Sequence, residues 1–64
     1  MKYLIRVVWR EGEEIKSLAK ETEYRINAES FFKNYSQMMR LPYTEIIRVS
    51  LYENGYEIER RIKK

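Results

Sequence analysis

Hydrophobic and polar positions alternate most strictly in the last third of the chain. Ile47, Val49 and Leu51 occupy every second residue before Asn54-Gly55, and Tyr56, Ile58 and Ile62 continue on every second position after it. Period two marks strands with one buried face, and Asn-Gly accepts the positive φ angles of a two-residue type I′ turn. The pattern predicts a β-hairpin from Thr44 to Lys63. In its ideal register Glu53 faces Tyr56, Leu51 faces Ile58, Val49 faces Arg60 and Ile47 faces Ile62. One face is then almost entirely aliphatic, with Arg60 the exception, while the other sets Arg48, Ser50 and Tyr52 opposite Glu57, Glu59 and Arg61.

The first ten residues follow the same period. Tyr3, Ile5, Val7 and Trp9 alternate with Leu4, Arg6, Val8 and Arg10, and the β-branched and aromatic content suits a strand. Apolar residues on both faces place it inside a sheet, with its second side partly covered. Glu11-Gly12-Glu13-Glu14 reads as a turn, because Gly12 tolerates a positive φ. Ile15 to Ile26 fits two patterns. As a strand it aligns Leu18, Thr22, Tyr24 and Ile26; as a helix it aligns Ile15, Leu18, Ala19 and Thr22. The strand is favoured, best formed from Thr22 to Arg25, and residues 13–20 stay open between strand and helix.

Ala28 to Arg40 is helical by period: Ala28, Phe31, Phe32, Tyr35, Met38 and Met39 form one stripe, with Lys33, Asn34 and Gln37 opposite. Asn27 suits the N-cap, Glu29 complements the positive end of the helix dipole, and Leu41-Pro42 ends the helix. The expected fold is α+β, in the order β-β-α-β-β. It is a four-stranded antiparallel sheet with one helix across one face, forming a single domain over residues 1–64. The order of strands within the sheet is not set by these signals.

An N-terminal strand pair, a helix with Phe31 or Phe32 leading to Tyr35, and the closing Leu-Tyr-Glu-Asn-Gly hairpin at Leu51 to Gly55 share a style. The chain resembles the short accessory proteins carried by phages and mobile elements of Gram-positive bacteria. The resemblance implies action by binding a host macromolecule and transfers no site residues.

Sixty-four residues bury only about 60% of the surface of their unfolded chain, so a second copy or a partner would add needed stability. Thirteen Lys and Arg against ten acidic residues give a net charge of +3. This is a mixed surface whose small excess sits at Arg60, Arg61, Lys63 and Lys64, and it neither demands nor forbids nucleic acid. Cysteine is absent, Arg6 breaks the N-terminal apolar run, and no stretch approaches the roughly 20 apolar residues of a membrane span. A soluble, cytoplasmic protein with no membrane partner is expected.

The chain contains no His, no Cys and no Asp. That excludes Ser-His-Asp and Cys-His nucleophiles, zinc sites of Cys and His, and EF-hand loops. Two distant glycines exclude phosphate-binding loops and dinucleotide fingerprints. The glutamates have simpler roles in a turn or in cross-strand charge pairs. No catalytic, metal or cofactor residue is expected, and the protein reads as a non-enzyme.

A lone helix leaves one sheet face bare. The candidate partner-binding residues there are Leu4, Arg6, Val8, Ile46, Arg48, Tyr52 and Arg61, joined by Ser50, Glu57 and Glu59. Small monomers seldom leave such an apolar patch in water, and Tyr and Arg are common interface anchors. Such a face admits another protein, a second copy in a homodimer, or single-stranded nucleic acid stacked on Tyr52. Another protein is favoured, and nucleic acid comes second because only one exposed aromatic can be placed and Glu57 and Glu59 repel phosphate. Trp9 is assigned equally to the core and to a partner.

Overall fold

In a computed structural model the described residues run from 2 to 63; Lys64, counted above in the basic C-terminal cluster, lies outside them. The elements are β1 (Tyr3–Glu11), β2 (Glu14–Thr22), α1 (Arg25–Met39), β3 (Ile46–Glu53) and β4 (Tyr56–Ile62). The four strands form one antiparallel sheet in the order β2-β1-β3-β4, and α1 packs on one face. This is the α+β fold that the periodicity predicts, with β1 in the interior as its two apolar faces require.

Both hairpins turn in two residues. Gly12 (φ 65°) is followed by Glu13 at negative φ, the Gly-first form of a type II′ turn, while Asn54 (φ 51°) and Gly55 (φ 87°) make the expected type I′ turn. Asn54 is tied to the start of β1, donating its amide to the Lys2 carbonyl at 2.8 Å and accepting the Lys2 amide on Oδ1 at 3.1 Å.

The core lies between α1 and the face bearing Tyr3, Ile5, Val7, Ile46, Val49 and Leu51. Ala28, Phe32 and Met39 bury into it from the helix, with Phe31, Tyr35, Leu18 and Trp9 packed around it. Trp9 thus belongs to the core margin. Met38, placed in the helical stripe by its spacing, is instead 44% exposed.

Three further expectations are corrected. The second strand spans Glu14–Thr22, not Thr22 to Arg25. It pairs with β1 along its whole length, and as an edge strand half out of water it carries only a weak apolar pattern. The helix starts at Arg25 with Tyr24 as its N-cap, and Asn27 falls inside the first turn. Thr22 Oγ1 accepts the Tyr24 amide at 3.2 Å and ends the strand, and an Arg25–Glu29 pair at 2.9 Å supports the early turn. At the other end Thr44 Oγ1 donates toward the Met38 and Leu41 carbonyls at 2.7 and 3.0 Å, occupying helix-end acceptors.

The third correction concerns register. Glu53 faces Tyr56 as expected, but Tyr52 then pairs with Glu57 and Leu51 with Glu59, so Ile58 is an extra residue in β4. Every later residue of β4 is shifted by one. Ile62 lies opposite Arg48, Arg60 opposite Ser50 and Arg61 opposite Val49. A second break, between Val8 and Trp9, makes Ile47 an extra residue in β3. Ile46 thereby lands opposite Trp9 and is buried in the core, whereas the ideal alternation sends it outward.

Candidate functional site

The face turned away from α1 is crossed by three rows of side chains. They are Glu21–Leu4–Tyr52–Glu57, Ala19–Arg6–Ser50–Arg60 and Ser17–Val8–Arg48–Ile62. Arg10 and Ile15 extend the array beyond the last row. Among the described residues no other element packs on this face. Leu4, Val8 and Tyr52 are nonetheless only partly exposed.

Five of the seven sequence-predicted residues meet here: Leu4, Arg6, Val8, Arg48 and Tyr52. Two do not. Ile46 is in the core, and Arg61 is on the helix side with its guanidinium 5.7 Å from the centre of the Phe32 ring. Both displacements follow from the bulges, because an extra residue transfers everything beyond it to the opposite face. Glu59 moves to the helix side with Arg61, and Arg60 takes their place on the open face.

The bulge at Ile58 also builds a charge pair. Glu57 and Arg60 are three residues apart and in an unbroken strand would point to opposite sides. Here Arg60 grips Glu57 through two contacts, Nε to Oε1 at 2.7 Å and Nη2 to Oε2 at 3.1 Å. That hydrogen bond holds the Glu57 carboxyl below its usual range, with smaller help from the charge of Arg60, a hydrogen bond from Tyr52 and the charge of Arg48. The same pairing raises Arg60.

Ser50 sits at the centre. It is fully buried although no backbone passes over it, so its cover is the surrounding side chains. Among the described residues its Oγ has no hydrogen-bond partner, and neither has the buried Nε of Arg48 two residues away on the same face. Leaving buried polar atoms unpaired costs about 1–3 kcal/mol each. Beside it a shallow depression of about 370 Å³ opens between Leu4, Arg6, Glu21 and Tyr52.

The face carries Arg6, Arg10, Arg48 and Arg60, with Glu21 and Glu57 among its carboxylates and Glu57 paired with Arg60. The bulge takes Glu59 off this face, where the ideal register would keep it. One signal in the sequence pointed there: a charged residue, Arg60, on the supposedly aliphatic side of the hairpin marks a register break. Among the described residues no three acidic side chains gather closely enough to hold a metal ion, and no helix is long and apolar enough to cross a membrane. No protein-family profile, curated protein or solved structure matches this chain.

Proposed function

We propose that the protein is a non-catalytic binding module that acts stoichiometrically on another protein through the open sheet face. It would serve as an inhibitor or accessory factor of the kind phages and mobile elements carry. The observation that carries this reading is a sheet face with no helix on it, where Arg48 and Tyr52 stand among Leu4 and Val8. An Arg–Tyr centre with an apolar surround is the composition of an interface hot spot. The test is capture from a host lysate. The wild-type chain should retain a nuclease-resistant partner in equimolar amount, and Arg48→Ala and Tyr52→Ala should lose it while keeping the wild-type circular dichroism spectrum. Undiminished capture by both variants would remove the reading.

Single-stranded nucleic acid is the second reading. It is favoured by the transfer of Glu59 off the face and by two arginines, Arg6 and Arg48, that have no carboxylate opposite them in the sheet. Phosphate binding would fall steeply with log salt. An oligonucleotide that fails to bind at ~50 mM salt, where such contacts are strong, rules this reading out.

A further inference from the structure

The two flanks of α1 are unequal. The helix packs on β3, β1 and β2 but makes no comparable packing on β4. Strands spaced ~4.8 Å apart give a four-stranded sheet room for two helices side by side, and helices pack with axes 8–10 Å apart. Only one is present. The place of the second is a groove of about 940 Å³ between α1 and β4.

Its floor is apolar, formed by Phe32, Met39, Leu51 and Ile58. Its rim is cationic. Arg25 and Glu29 neutralise each other across 2.9 Å, which leaves Lys33, Arg40, Arg61 and Lys63 facing a single carboxylate, Glu59. One wall also contains Ser36, whose buried Oγ has no hydrogen-bond partner among the described residues. From these features we infer that the groove receives an amphipathic α-helix of a partner protein, apolar on the face toward the sheet and acidic along its flanks. The occupant would lie beside α1 and complete a two-helix layer over the sheet. It would be close to α1 in length, 15 residues or about 22 Å.

The chemistry selects this occupant. An extended segment would pair with the free edge of β4 and would not fill a trough as wide as a helix. A basic helix would meet four cations set against one carboxylate, Glu59. The inference uses residues on the opposite side of the sheet from the open face, so it stands or falls separately from the function proposed above.

The probe is a synthetic peptide of about 15 residues, with Leu at i, i+3, i+4 and i+7 and Glu at most other positions. It is titrated into the 15N-labelled full chain and followed by amide chemical shifts. Saturable binding is expected, with the shifts concentrated in Lys33 to Arg40 and Ile58 to Lys63 and the affinity falling with salt. Lys33→Glu and Arg61→Glu should each weaken it by about tenfold or more. Lys33 is exposed on α1, so its reversal leaves the fold intact even if Arg61→Glu disturbs β4.

Four results would overturn the inference: no saturable binding, equal binding of a peptide with Lys for Glu, shifts centred on Leu4, Arg6 and Tyr52, or protection confined to the outer edge of β4. Concentration-dependent shifts of the groove residues without peptide would do the same, by assigning the groove to a second copy.

Discussion

The two hairpins are built from similar parts and end differently. β1 and β2 keep one register through nine pairs, from Glu11 opposite Glu14 to Tyr3 opposite Thr22. β3 and β4 lose register after two pairs, at Ile58. Each edge strand offers one cation to an aromatic ring of α1. On the β2 side the Lys20 ammonium lies 4.9 Å from the Phe31 ring centre and 5.9 Å from that of Tyr35, closing that flank. On the β4 side Arg61 lies 5.7 Å from Phe32 and the flank stays open as a groove. The turns are not what separates them, since both are two-residue turns on a glycine. A single inserted residue is. It re-aims half a strand, places Arg60 with Glu57 on the bare face and leaves the helix side of β4 lightly covered.

The largest expected effect concerns the two phenylalanines. Phe32 is buried among β3, β1 and α1, whereas Phe31 is only partly buried beneath Lys20. Phe32→Ala should cost about 3–5 kcal/mol. A domain of this size has a total of roughly 3–10 kcal/mol, so much of the population should unfold. Phe31→Ala should cost clearly less. Urea denaturation of both variants checks this, and equal losses would erase the asymmetry between the flanks.

Next comes the turn of the bulged hairpin. A Cβ at Gly55 would meet nothing within 4 Å, so Gly55→Ala isolates the backbone cost of φ 87°. The expected loss is about 1–2 kcal/mol. Loss of the cross-strand contact between Glu53 and Tyr56 in the nuclear Overhauser spectrum would show that the turn itself had given way.

Deleting Ile58 is the sharpest test of the comparison. Because it is the extra residue, its removal should leave Ser50 opposite Arg60 and Val49 opposite Arg61, making the second hairpin as regular as the first. Stability should change by about 1 kcal/mol or less, the side chain being 42% exposed. In the intact chain, cross-strand contacts that set Arg60 opposite Val49 instead of Ser50 would show that the bulge had never been there.

The smallest effect is electrostatic. The Glu57 carboxyl is held below its usual range in the folded protein, so it binds protons more readily when unfolded. Its contribution is present above the unfolded value and lost as pH falls through the folded one. Glu57→Gln should therefore flatten the acid limb of a stability–pH curve by slightly lowering stability at neutral pH, while leaving it nearly unchanged where Glu57 is already protonated. An unaltered acid limb would show that the pair with Arg60 is not maintained in solution.

Much of the architecture was legible from local signals. Asn54-Gly55, the Ala28-to-Met39 stripe and Leu41-Pro42 each act within a few residues of themselves, and element type and order followed from them. Edge strand β2 was harder, because Lys16, Lys20 and Glu21 are tolerated wherever one side of a strand faces water, which blurs the period. Five of the seven candidate interface residues were correctly sided because β1 is regular and β3 is regular from Arg48 onward.

What the sequence by itself determined, then, is which segments become strands and helix and that one helix leaves a bare face. The tertiary structure alone decided strand order, both bulges and hence the sides taken by Ile46, Glu59, Arg60 and Arg61. The reason is range. A turn or a helical stripe is satisfied by its own neighbours, whereas a bulge is chosen by how distant strands share hydrogen bonds, burial and charge, as when Arg60 reaches Glu57 only once Ile58 stands out of register.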